Sequence, residues 1–319
     1  MRAANLTILG AILAMGPLSG CDFLKRNGGS QVTPVPGVPI EDRQANQFVA
    51  YLNQQAGLLT SVRYDDVSLS ASDAGGNMPR LTEGTLACAQ PRYFRLMSGH
   101  WATSGSEVDV GSNTNEFWMY VKRPEQTYVY CSHDDFTRGK AQLPVPFEPD
   151  WVLEALGMST YDPNLTYQID ADQKNRVYTL SFDTRTPQGE PIRKVVVFAG
   201  DRAAGDRPQV LKHAVLDANR KVIAAAEVKE VKTIASGTGA VQVPTHVVLE
   251  WPQQKFKMDL TLGRPRLNET MTAQEQAFFF VRPEIRGATP INLATSPFRP
   301  SSVRSSTPDG SRPRLFGNN

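Results

Sequence analysis

Four histidines, His100, His133, His213 and His246, are the side chains best suited to acid–base or metal chemistry. None forms an HExxH or HxxxH pair, the spacings that set two imidazoles on one helix face around zinc. His133-Asp134-Asp135 is a His/carboxylate cluster with metal-ligand donors, but it follows an expected strand end, where acidic turns are common. Asp109-x-Gly-x-Asn113-x-Asn115-Glu116 alternates oxygen donors like a calcium loop. It lacks the distal Glu that completes such a loop, so a hairpin turn is expected there. No Ser stands in a GxSxG elbow, no Gly-rich loop has the phosphate-cradling pattern, and no nucleophile has a partner base beside it. The expectation is therefore no catalytic residue, no metal, no cofactor, and a protein that is not an enzyme.

Three cysteines carry the remaining reactive chemistry, Cys21, Cys88 and Cys131. The last two stand in no CxxC and no Cys/His cluster. An exported chain would let them pair; the alternative is two buried thiols. Pairing needs Cα atoms within about 7 Å, and the strands expected to carry them are separated by others, so unpaired thiols are favoured. Cys21 lies behind MRAANLTILGAILAMGPLSG, with Arg2 as a positive start and an apolar run over residues 6–18. That run is short of the about 20 residues a membrane-spanning helix needs and has the length of a signal-peptide core. Leu18-Ser19-Gly20-Cys21 resembles the lipobox of bacterial lipoproteins. The resemblance implies a leader over 1–20 and lipidation of Cys21, which anchors the chain to a membrane of the cell envelope, facing the periplasm. Which membrane stays open.

These side chains need elements to position them. Residues 21–39 hold the Gly- and Pro-rich stretch LKRNGGSQVTPVPGVP, a flexible spacer behind the anchor. Residues 294–319 lack periodicity, are rich in Ser, Pro and Arg, and read as a disordered basic tail. Between them, 40–293 reads as one domain. It opens on a helix over 40–57, with Phe48, Val49 and Leu52 at helical spacing. A second helix is expected over 149–156, stopped by Gly157. Elsewhere the period is two. KFKMDLTL places Phe256, Met258, Leu260 and Leu262 on one face, and VYTLSF does the same with Tyr178, Leu180 and Phe182. Further strands are expected at, among others, 85–90, 116–121, 127–131, 223–233, 244–251 and 277–281. Short turns between them, such as Gly237-Thr238-Gly239, mean antiparallel meanders. The fold class is mainly β (α+β): one curved antiparallel sheet, or incomplete barrel, of about 10 to 12 strands under one or two helices. A net charge of +2 excludes a nucleic-acid partner held by bulk charge.

GTLACAQPRYFRL, DVGSNTNEFWMYVKRPEQTYVY, PTHVVLEWP, KMDLTLGRPRLNE and FFFVRPEIRGATPINL follow one another in an order that resembles the LolA/LolB-like periplasmic lipoprotein carrier and receptor superfamily. The resemblance covers about 45–293. It implies a half-barrel curled over helices, with an acyl chain, lipid or lipoprotein received on the concave apolar face. The residues expected to line such a cleft are Phe48, Val49, Leu52, Phe117, Met119, Tyr178, Leu180, Phe182, Phe256, Met258, Leu260 and Leu262, with the first helix covering the rest. The chain is expected to be a monomer. The alternative is a scaffold lipoprotein with a packed barrel that binds a protein or cell-wall partner.

Overall fold

A computed structural model describes residues 44–99, 106–122, 126–141, 149–200, 208–237 and 239–296. The expected leader, the lipidation site at Cys21, the linker and all but the first three residues of the expected tail lie outside these. The chain opens with helix α1 (Ala45–Leu58), then strands β1 (Ser61–Asp73), β2 (Gly76–Asn77), β3 (Leu81–Ala89), β4 (Tyr93–Gly99), β5 (Ser106–Ser112), β6 (Glu116–Val121) and β7 (Thr127–Ser132). Helices α2 (His133–Thr137) and α3 (Pro149–Ala155) follow. The second run of strands is β8 (Gln168–Asp172), β9 (Val177–Arg185), β10 (Pro191–Ala199), β11 (Val210–Leu216), β12 (Val222–Ser236), β13 (Gly239–Trp251), β14 (Phe256–Leu262) and β15 (Pro265–Leu267). Helix α4 (Ala273–Phe280) and β16 (Ile291–Asn292) close the described chain.

All 16 strands join one curved, unclosed sheet. The fold class is as expected, with more strands than the ten to twelve read from sequence. Part of the excess is β2, β15 and β16, too short to show a period. Two meanders, β3 to β7 and β14 back to β8, meet where β1 pairs with both β3 and β14. Directly paired residues of an antiparallel ladder share a face, so the register traces the inner surface. One row runs Tyr64, Leu86, Leu96, Val110, Met119 and Val129. Another runs Ala71, Met258, Leu249, Ala226, His213, Val196, Leu180 and Ile169.

The same register separates the thiols. Cys88, Phe94, Ser112, Phe117 and Cys131 form one row, so four interstrand steps lie between the cysteines, on the order of 19 Å along the sheet. Both are buried and free.

Helices α1 and α3 lie on the inner face. The end of α3 follows from Gly157, whose φ of +76° only glycine adopts without strain. Its N–H bonds to Glu154 O at 3.0 Å and that of Met158 to Leu153 O at 2.8 Å, closing the helix in a Schellman motif. The outer face carries α4, where a strand was expected at 277–281. Three consecutive phenylalanines favour a strand, but Thr272 and Glu275 form a reciprocal capping box that nucleates a helix five residues earlier. Phe279 and Phe280 then pack with Ala87 and Tyr93. Beneath this helix Arg95 pairs with Asp109 through Nε–Oδ1 at 3.0 Å and Nη2–Oδ2 at 2.6 Å, both side chains being buried. Trp118 Nε1 donates to the same carboxylate at 3.0 Å. The oxygen-rich stretch around Asp109 therefore anchors an ion pair within the sheet.

Candidate functional site

The residues expected to line a cleft share the inner face but divide among three clusters. Phe48, Val49 and Leu52 of α1 pack with Tyr178, Leu180 and Phe182 of β9. Phe48 sits edge-on to Phe198, ring centres 4.8 Å apart, and 5.7 Å from Tyr178. Phe256, Met258, Leu260 and Leu262 belong to a second cluster. Its cover is α3 rather than α1: Trp151 meets Trp251 at 5.6 Å, and Trp251 meets Phe256 at 5.6 Å. The first helix docks over β9, β10 and the start of β13, reaching the second cluster only through Leu58, so α3 covers β14. Phe117 and Met119 join Val129, Cys131 and Leu293, closed over by Phe136 of α2.

The seam between α1 and α3 holds a cavity of about 40 Å³. It has room for water but not for an acyl chain. Its lining is mostly apolar, but Gln55, Glu154, Tyr161 and His213 bring polar atoms to it. Glu154 of α3 is 6% exposed and accepts from Lys194 Nζ at 2.5 Å and from Tyr161 Oη at 3.2 Å. Tyr161 Oη lies 3.5 Å from His213 Nδ1. Burial lowers the pKa of His213, against the opposing pull of the Glu154 carboxylate, so the imidazole is neutral at pH 7. Burial, then the charge of Glu154, holds the Tyr161 phenol far above its ordinary pKa. Sequence reading missed this group. Its one advance signal is His213, a histidine within an otherwise apolar-facing strand.

Polar ties gather at one end of α1. Gln90 Nε2 donates to Ala56 O at 3.0 Å and Met158 O at 2.8 Å, joining the C-terminal ends of α1 and α3. Asn268 donates to Leu58 O at 2.8 Å and accepts from Thr60 N at 2.9 Å and Ser61 N at 3.1 Å. Among the described residues, side-chain hydrogen bonds of α1 begin only at Asn53, which bonds to the backbone of Tyr161 in both directions. The N-cap, Gln44, makes no side-chain cap bond. Among the described residues, the first two turns are held by apolar contacts.

The other candidate residues of the sequence are held by hydrogen bonds within the fold. Ser112 Oγ lies 3.2 Å from His133 Nε2, the geometry of a nucleophile and base. The same Nε2 is 2.8 Å from the carbonyl of Asn113, an acceptor, so it carries a proton and cannot take one from serine. Asp135 is held by Ser132 and Lys140, and its pKa is lowered by them. No three His, Cys, Asp or Glu side chains converge as metal ligands among the described residues.

No family model matches the sequence, and no curated protein matches it. Solved structures do. A DUF1329 family protein from Desulfovibrio piger is 10% identical, with a TM-score of 0.50 over 74% of this chain and 96% of that one. A putative outer membrane lipoprotein-sorting protein domain from Vibrio parahaemolyticus is 11% identical, with a TM-score of 0.46 over 72% and 94%. A LolA superfamily protein, NE2245 from Nitrosomonas europaea, is 8% identical, with a TM-score of 0.37 over 72% and 96%. The chain shares its fold with the DUF1329 family protein, and its structural neighbours include a LolA superfamily protein and a lipoprotein-sorting domain, the group that the sequence resembles.

Proposed function

We propose that this is a lipid-anchored, periplasm-facing envelope protein that binds an acyl chain, lipid or lipoprotein between the inner face of its sheet and α1. One observation carries the reading. The inner face is apolar and is covered by short helices, and among the described residues the first two turns of α1 are fixed to it by apolar contacts without polar ties. Such a cover can swing about its tied C-terminal end, exchanging Phe48, Val49 and Leu52 for a ligand of similar apolarity. The swing is required, because the seam cavity of about 40 Å³ lies far below the about 300–1,000 Å³ of ordinary ligand pockets. Cys21 supplies the anchor in this reading, and no described helix is long and apolar enough to cross a membrane. The filled inner face equally favours the second reading, a scaffold lipoprotein with a packed barrel.

Titration with N-phenyl-1-naphthylamine, an uncharged dye that brightens in apolar surroundings, separates the two. Saturable binding reversed by 1-palmitoylglycerol supports an acyl site. No saturable binding leaves the packed scaffold.

A further inference from the structure

Three buried polar atoms of the inner core have no hydrogen-bond partner: Gln55 Nε2, Tyr64 Oη and Trp151 Nε1. Buried polar atoms are nearly always paired, so each such orphan takes its partner from outside the fold, a water or a ligand. Gln55 is the informative one because it also lines the seam cavity and is only 6% exposed. Its amide orientation is fixed, since Oε1 accepts from the backbone N–H of Gln242 at 3.0 Å. The NH₂ group is therefore a donor without an acceptor.

The surroundings say which acceptor fits. The Glu154 charge is compensated by Lys194, His213 is neutral, and Tyr161 already donates to Glu154. An entering carboxylate would meet the Glu154 carboxylate in a largely apolar cavity with no free cation among its lining residues. An uncharged carbonyl oxygen would satisfy Gln55 at no such cost. We infer that Gln55 selects ligands whose acyl chain ends in an uncharged carbonyl, an ester or an amide, over the ionised free acid. This rests on the acyl-binding reading above and adds to it the chemical class of the ligand's polar end.

The test measures displacement of N-phenyl-1-naphthylamine at pH 8 by 1-palmitoylglycerol and by palmitate, for the parent chain, Gln55→Leu and Gln55→Glu. The glutamate variant keeps an acceptor for Gln242 N–H but adds a second carboxylate beside Glu154, so the melting temperature of both variants is read alongside to guard against a folding artefact. The parent is expected to bind the ester better than the acid. Either substitution is expected to weaken ester binding about threefold to tenfold, the worth of one neutral hydrogen bond. Equal displacement by ester and acid, or an unchanged ester affinity in both variants, overturns the inference while acyl binding stands. A parent that binds no dye overturns acyl binding and this inference with it.

Discussion

Replacing Phe48 by alanine probes whether α1 is a movable cover or a permanent part of the core. Phe48 is fully buried and wedged between Phe198 and Tyr178. Truncating such a ring costs about 3–5 kcal/mol in transfer and cavity terms. It belongs to the cluster that α1 forms with β9 and β10, not to the one under α3. If α1 lifts separately, the whole cost falls on the closed state, and the opening equilibrium rises about 10²- to 5 × 10³-fold. Amide hydrogen exchange read by mass spectrometry is the assay. Residues 45–52 are expected to lose protection by that factor, while amides of β12 and β13 keep theirs. Affinity for 1-palmitoylglycerol should rise in parallel, because less free energy is spent on opening. Loss of protection throughout the sheet, with no gain in affinity, would refute a movable α1.

Three further expectations follow from named contacts. Cys21→Ala should move the protein from the membrane to the soluble fraction; retention on membranes after a salt wash would count against the lipid anchor. Arg95→Met strands the buried Asp109 carboxylate and should cost about 3–5 kcal/mol in urea unfolding, whereas Arg95→Met/Asp109→Leu should recover much of it; a double variant no better than the single one would be against the account. The pKa of His213 is depressed in the folded state, so the unfolded chain binds more protons. The stability that it contributes is full above the unfolded value of about 6.5 and is lost as pH falls below it. Melting temperature should therefore drop between pH 7 and pH 5, and less so in His213→Gln; identical pH profiles would contradict a buried neutral imidazole facing Glu154, Lys194 and Tyr161.

The architecture was legible wherever one face of a strand is buried. KFKMDLTL and VYTLSF alternate because Leu260 and Leu180 face the inner core while Asp259 and Thr179 face outward. Gly157 marked the end of α3 because a left-handed residue was needed there. The helix at 273–280 replaces the expected strand at 277–281 because its capping signal, Thr272 and Glu275, lies upstream of the aromatic run. The candidate site was less legible. Glu154 meets Lys194 across 40 positions and Tyr161 meets His213 across 52, so no local spacing announces them. The lining residues were found as apolar faces, but sequence periodicity carries no information on which helix covers which strand. That assignment depends on where each helix docks across the sheet.

Native mass spectrometry of the leaderless protein, purified from its own host without detergent, tests acyl binding most directly. The account predicts a population heavier than the bare chain, which loses a lipid-sized mass on collisional activation and has an ester or amide in the released molecule. A single mass equal to the bare chain, together with no uptake of 1-palmitoylglycerol on titration, would contradict it.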